Sequence, residues 1–156
     1  MTVDYIKAHF PHFTSIELVN SDKLSVASTN IKTKALRINV PKFSLLPFEH
    51  QFFVLAHEEG HGVVHTKDEL LADKYAYDKY EKYNLSNAEA VKALHLYLDM
   101  TNPVHQARVW QQIQRSLKND YEEFGIKEAY RNHYETIPET KKRLKKILYA
   151  NLKKRC

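Results

Sequence analysis

An α+β fold is predicted for this chain: a small N-terminal antiparallel sheet followed by a mainly helical body. Three observations predict it. Up to about residue 45 the sequence offers short β-branched or alternating runs, "SIELVN", "KLSVAST" and "KALRINV", separated by turn residues. After Pro47 the apolar residues recur at helical spacing instead. The length of 156 residues, with 43% hydrophobic and 28% charged, suits one soluble domain able to bury a core.

The elements follow in order. "TVDYIKAHF" reads as a short helix capped by Thr2, whose hydroxyl can accept from a first-turn N–H. "SIELVN" and "KLSVAST" read as strands separated by the turn signal "NSD". "KALRINV" sets Leu36, Ile38 and Val40 on one face and Arg37 and Asn39 on the other, and Pro41 ends the ladder or marks an edge. Residues 1–45 thus form a sheet subdomain and 47–156 a helical one. The helical part opens with "PFEHQFFVLAHEEGHGVVH", with apolar positions at Phe48, Phe52, Leu55, Ala56 and Val63. A second helix is expected over about 67–83. A third starts at Ser86, where "SNAE" is a capping box, and another at Pro103. Gly125 marks a break. No repeat, low-complexity segment or linker divides the chain.

Several classes are disfavoured at once. No apolar run approaches the roughly 20 residues needed to cross a bilayer. "MTVDYIKAHF" has no basic start, apolar run or small-residue cleavage site. The only cysteine is Cys156, which excludes an internal disulfide framework. These features together give a cytoplasmic expectation. Much of the formal charge of +5 sits in "TKKRLKKILYANLKKRC". There Leu144, Ile147, Leu148 and Leu152 form an apolar stripe at helical spacing, so the segment reads as a docked terminal helix with a solvated basic face. The alternative use of that face is contact with nucleic acid or acidic lipid.

The chemistry concentrates in "VLAHEEGHGVVHTKDELLADKYA", residues 54–76. His57 and His61 are four residues apart, one turn along one helix face. Both imidazoles can reach one Zn²⁺ at about 2.0–2.1 Å, while Glu58 points to the side, where it can hold a water. A third ligand is required, and His65, Asp68, Glu69 and Asp73 are the candidates. On an unbroken helix His65 lies about 12 Å along the axis from His57 and could bind only if the helix breaks at Gly62. Glu69 fits best, opening "ELLAD" on a second helix after the turn "HTK". Asp73, one turn on, could accept the free N–H of a ligating imidazole. Asp73 and His65 stay open as alternative ligands. Gly60 and Gly62 are two of the chain's three glycines, and their cost inside a helix implies close packing or a needed break.

"HEEGH" followed by "ELLAD" resembles the HExxH…ExxAD signature of gluzincin metallopeptidases. It is similar to the CAAX-prenyl and heat-shock membrane proteases and to ImmA-like regulatory proteases. The resemblance implies a zincin-like fold, His57, His61 and Glu69 as zinc ligands, Glu58 as general base and Asp73 as a supporting partner. "TNPVHQARV" is similar to the "THPxxxxRI" stretch of the membrane proteases; Pro103 and Arg108 match its spacing, and Asn102 stands in place of its His. The resemblance spans roughly residues 34–110. The membrane proteases carry transmembrane helices and a longer insertion between the motifs, and this chain has neither. The closer analogue is the soluble minimal gluzincin.

The resulting expectation is a zinc-dependent peptidase acting on a peptide or protein substrate. Strand "KALRINV" would form the cleft rim, where an extended peptide could add to its edge. His105, Arg108 and Tyr77 are candidates for transition-state or cleft roles. Each also has an ordinary reading, as helix-start polar group, ion-pair partner and packing residue respectively. His9 and His12 of "HFPHF" read as loop residues rather than a second metal pair, and His50 as a partly exposed helix side chain. The competing expectation is a non-catalytic domain, stapled by zinc or using its basic helix to bind nucleic acid or protein.

Overall fold

The computed structural model describes residues 1–85, 87–99 and 101–115, with the backbone alone at 87, 88 and 95–97. The expected cap at Ser86, the break at Gly125 and the basic segment with Leu144, Ile147, Leu148 and Leu152 lie outside the described residues. Residues 1–110 form one compact unit. Of residues 111–156, those at 111–115 are helical. Among the described residues, no helix is long and apolar enough to cross a membrane.

The architecture is α+β, as the sequence predicts. Helix α1 (Val3–His9) is capped by Thr2, whose side chain accepts from Tyr5 N. Strands β1 (Ser15–Val19), β2 (Ala27–Thr29) and β3 (Ala35–Asn39) follow, then the short α2 (Val40–Ser44) and the helices α3 (Phe48–Val63), α4 (Glu69–Lys82) and α5 (Asn87–Tyr97). A further helix is entered at Pro103. Its start is capped by Asn102, whose Oδ1 accepts from Val104 N at 2.9 Å.

The sheet is mixed, which corrects the antiparallel expectation. Its order is β1-β3-β2, with β3 parallel to β1 and antiparallel to β2. The "NSD" turn signal does not make a hairpin. The chain between β1 and β2 instead wraps the buried Asn39, which donates to Ser21 O at 2.7 Å and Leu24 O at 3.1 Å. The hairpin comes one connection later. Asn30 Oδ1 accepts from Lys32 N and Thr33 N, and Lys34 takes a positive φ of 57°, closing β2 onto β3. Leu36 and Ile38 are buried as expected, whereas Val40 leaves the strand and is exposed. Pro41 falls at the start of α2, where a missing N–H costs nothing.

Because β3 is central, both its edges are paired, and it cannot accept an added strand. The free edge near α3 is β2. Val26 O accepts from Asn39 N, and Asn30 N donates to Ala35 O. Antiparallel alternation therefore turns the peptide groups of Ala27 and Thr29 outward.

Helices α3 and α4 carry the core. Phe52, Leu55 and Ala56 on α3 and Ala72, Ala76, Tyr77 and Tyr80 on α4 are fully buried. At Gly60 the two helices approach closely. A Cβ there would meet Ala72 O at 3.0 Å and Tyr75 Cβ at 3.1 Å. Close packing, not a helix break, explains this glycine. On the same helix Glu59 is buried and receives Lys79 Nζ at 2.5 Å, Tyr75 Oη at 3.0 Å and His12 Nδ1 at 3.0 Å. His9 bonds to the Tyr83 hydroxyl at 3.1 Å. The two "HFPHF" histidines are thus engaged with separate partners.

Gly60→Ala is expected to destabilise the protein by about 1–3 kcal/mol, because the methyl group meets backbone. At Gly62 the nearest atom to an added Cβ is Lys34 Cγ, on a flexible side chain, at 3.4 Å, with Lys34 Cβ and Thr29 Cγ2 at an ordinary 3.7 Å. Gly62→Ala should therefore be neutral or should gain up to about 1 kcal/mol of helix propensity. Urea midpoints of both variants check the contrast.

Candidate metal centre

The site is assembled from one face of α3 and the start of α4. Helix α3 runs unbroken through Val63, so His57 and His61 stack one turn apart. The chain then reverses sharply: His65 adopts a positive φ of 51°, and Thr66 N donates to His61 O. Asp68 caps α4 by accepting from Leu70 N at 2.8 Å and Leu71 N at 3.3 Å. With Asp68 spent as cap and His65 exposed on the turn, neither reaches the site. Glu69, the first residue of α4, does.

His57 Nε2 lies 3.3 Å from Glu69 Oε2, His61 Nε2 lies 3.6 Å from Glu69 Oε1, and the two Nε2 atoms are 3.1 Å apart. A cation bound tetrahedrally at about 2.0–2.1 Å requires donors roughly 3.3–3.4 Å apart. The three separations bracket that value. The far side of each ring supports the same use. His61 Nδ1 is 2.9 Å from Thr66 O, and His57 Nδ1 is 2.7 Å from Asp73 Oδ1. Acceptors at both Nδ1 atoms favour the tautomer whose Nε2 lone pair faces Glu69. Among the described residues, His57, His61 and Glu69 form the one group of this kind that could hold a metal ion.

Asp73 is fully buried. Besides His57 it binds Arg108 in a fork, Nε to Oδ2 at 2.7 Å and Nη2 to Oδ1 at 2.9 Å. Arg108 Nη1 reaches on to Glu69 Oε2 at 2.8 Å. This residue comes from the helix entered at Pro103, and it holds two acids of α4, Glu69 and Asp73, with one planar group. Its role here is to position them. Burial by itself would raise the Asp73 pKa, but His57 and Arg108 hold it below the usual range. The hydrogen bond from His57 leads the effects that lower Glu69. For His57, burial opposes protonation, yet its hydrogen bonds to Asp73 and Glu69 and the nearby carboxylates push its pKa up to about 9.

No protein-family model, characterised protein or solved structure matches this chain.

His57, Glu58, His61, Glu69 and Arg108 line one cleft of about 390 Å³. Glu58 therefore faces the same space as the candidate ligands, as expected for an acid one residue past His57. Two expected cleft residues are absent from it. Tyr77 is fully buried and packs edge-on against Phe53, its ring centroid 5.2 Å away; one turn beyond Asp73, that face of α4 has already entered the core. His105 sits beside the helix start, its Nδ1 3.1 Å from Asp99 O. His50 is buried rather than partly exposed, and its Nε2 is 3.2 Å from Glu89 on α5. Sequence reasoning missed the other walls: Val26 and Ala27 at β2, Leu94 on α5, and Lys42 on α2. Only Lys42 had a signal, as a cation just past the strand that precedes α3.

Cation binding must expel the proton that His57 carries below about pH 9. Affinity should climb as pH rises to that value and then level off. Calorimetry near pH 7.5 in buffers of different ionisation enthalpy should read release of about one proton. Asp73→Asn, which weakens the hold on His57, should lower metal affinity about 10–100-fold in a chelator competition.

Proposed function

We propose that this chain is a zinc-dependent peptidase of gluzincin type. One observation carries the reading: two imidazoles and a carboxylate stand at the mutual spacing of a tetrahedral cation's donors, with a further carboxylate, Glu58, in the same cleft. Two nitrogens and one oxygen without a thiolate suit Zn²⁺, and three protein ligands leave a position open for chemistry. When bound, the ion supplies Lewis acidity toward the scissile carbonyl and brings the pKa of a water toward ~7.

The protein's own groups do the rest. His57, His61 and Glu69 hold the cation. Asp73 and Thr66 O fix the two ring tautomers, and Arg108 keeps Glu69 and Asp73 in register. Glu58 accepts the proton of the attacking water and delivers it to the leaving amine. An extended substrate pairs with the outward peptide groups of Ala27 and Thr29 on β2, which lies along the cleft where β3 cannot. The absence of an internal cysteine pair supports placing this reaction in the cytoplasm.

Glu58→Gln should keep full zinc content by elemental analysis. It should lose at least about 100-fold in cleavage of an unfolded protein followed by mass spectrometry. Unchanged cleavage by that variant removes Glu58 from the mechanism.

A further inference from the structure

Lys42 differs from the ion-paired groups of the cleft, His57, Glu69 and Arg108. Glu69 and Arg108 neutralise one another at 2.8 Å, and His57 faces Glu69 and Asp73. Lys42 has no acid. Its Nζ donates to two backbone carbonyls, Asp22 O at 2.9 Å and Leu24 O at 2.6 Å, both in the connection that leads into β2. An ammonium carries three donors, so one remains. Among the described residues, no carboxylate lies within ion-pair distance of it. A lysine on a solvated face would swing freely, but this one is held by two acceptors against a cleft wall. The same cleft is lined by Ser25, Val26, Phe53, Val54 and Leu94, which are mostly apolar. An apolar surround raises the value of a charge pair made there.

We infer that Lys42 is the specificity residue of the cleft and binds a carboxylate of the substrate. This rests on the peptidase reading. The carboxylate has two sources, the C-terminus of a peptide or an Asp or Glu side chain, and both present the same group to the ammonium. In either case the apolar wall receives a neighbouring side chain while β2 holds the backbone. Lys42 touches no reacting atom. It sets which peptides dwell in the cleft.

The test uses the zinc-loaded full chain and one random decapeptide pool made in three forms. The first has free C-termini. The second is C-terminally amidated. The third is amidated with Asn and Gln in place of Asp and Glu. The pools are retained on immobilised Glu58→Gln protein, and their cleavage is followed separately with the protein bearing Glu58. Carboxylate-bearing peptides should be retained about tenfold or more over their neutral counterparts. Lys42→Met should erase that preference while binding of the neutral pool stays within about twofold, and Lys42→Arg should restore it. Preference for the first pool over the second identifies the C-terminal carboxylate; preference for the second over the third identifies acidic side chains. Equal retention of all three pools, or equal loss of all three in Lys42→Met, overturns the inference. Because retention is read without hydrolysis, failure of every pool to be cleaved counts against the peptidase reading alone.

Discussion

The site depends on one buried charge. Asp73 lies out of water entirely, and an unpaired carboxylate there would cost several kcal/mol. It is supplied with two partners from different elements: His57 on α3 and Arg108 on the helix entered at Pro103. Satisfying this one group fixes the ring plane of His57 and the height of Arg108. It also fixes the position of Glu69, because Arg108 spans both acids. Three helices are thereby aligned through a single carboxylate. Each donor is also held by a protein partner, His57 by Asp73, His61 by Thr66 O and Glu69 by Arg108, which lowers what a bound ion would spend on ordering them.

That polar arrangement relies on an apolar one. Helix α4 can lay Glu69 and Asp73 beside the imidazoles only if it approaches α3 closely, and Gly60 against Ala72 is what allows the approach. The sharp reversal at His65 and the Asp68 cap then start α4 with its first residue already at the site. The strand side works similarly. The connection wrapped on Asn39 feeds β2 into position as the free edge and presents two carbonyls to Lys42.

Much of the centre was legible because it is local. The i, i+4 spacing of His57 and His61, the short turn and the i, i+4 spacing of Glu69 and Asp73 are consequences of helix geometry alone. The order of elements was legible for the same reason. What escaped was set by distant contacts. The strand pairing of β1 with β3 depends on Asn39 gathering a loop fifteen or more residues upstream, and the "NSD" turn signal says nothing of that. Tyr77 shares the α4 periodicity of Asp73, so spacing could not tell a residue at the cleft from one a turn deeper in the core. Arg108 was singled out, but its grip on two acids of another helix has no local signature. Lys42 carried a local signal only in standing just past β3, and its two carbonyl partners lie in a distant connection.

Glu58 and Glu59 are neighbours in sequence and opposites in surroundings. One faces the cleft, while the other is shut inside with a lysine, a tyrosine and a histidine around it. A step of one residue turns a helix by about 100°. Glu59 therefore works as a key in a keyway: rotating α3 by one residue would leave its charge stranded among apolar atoms and swing both imidazoles away from Glu69. The angular setting of the histidine face is guarded from behind, by an acid that never meets the solvent on the other side.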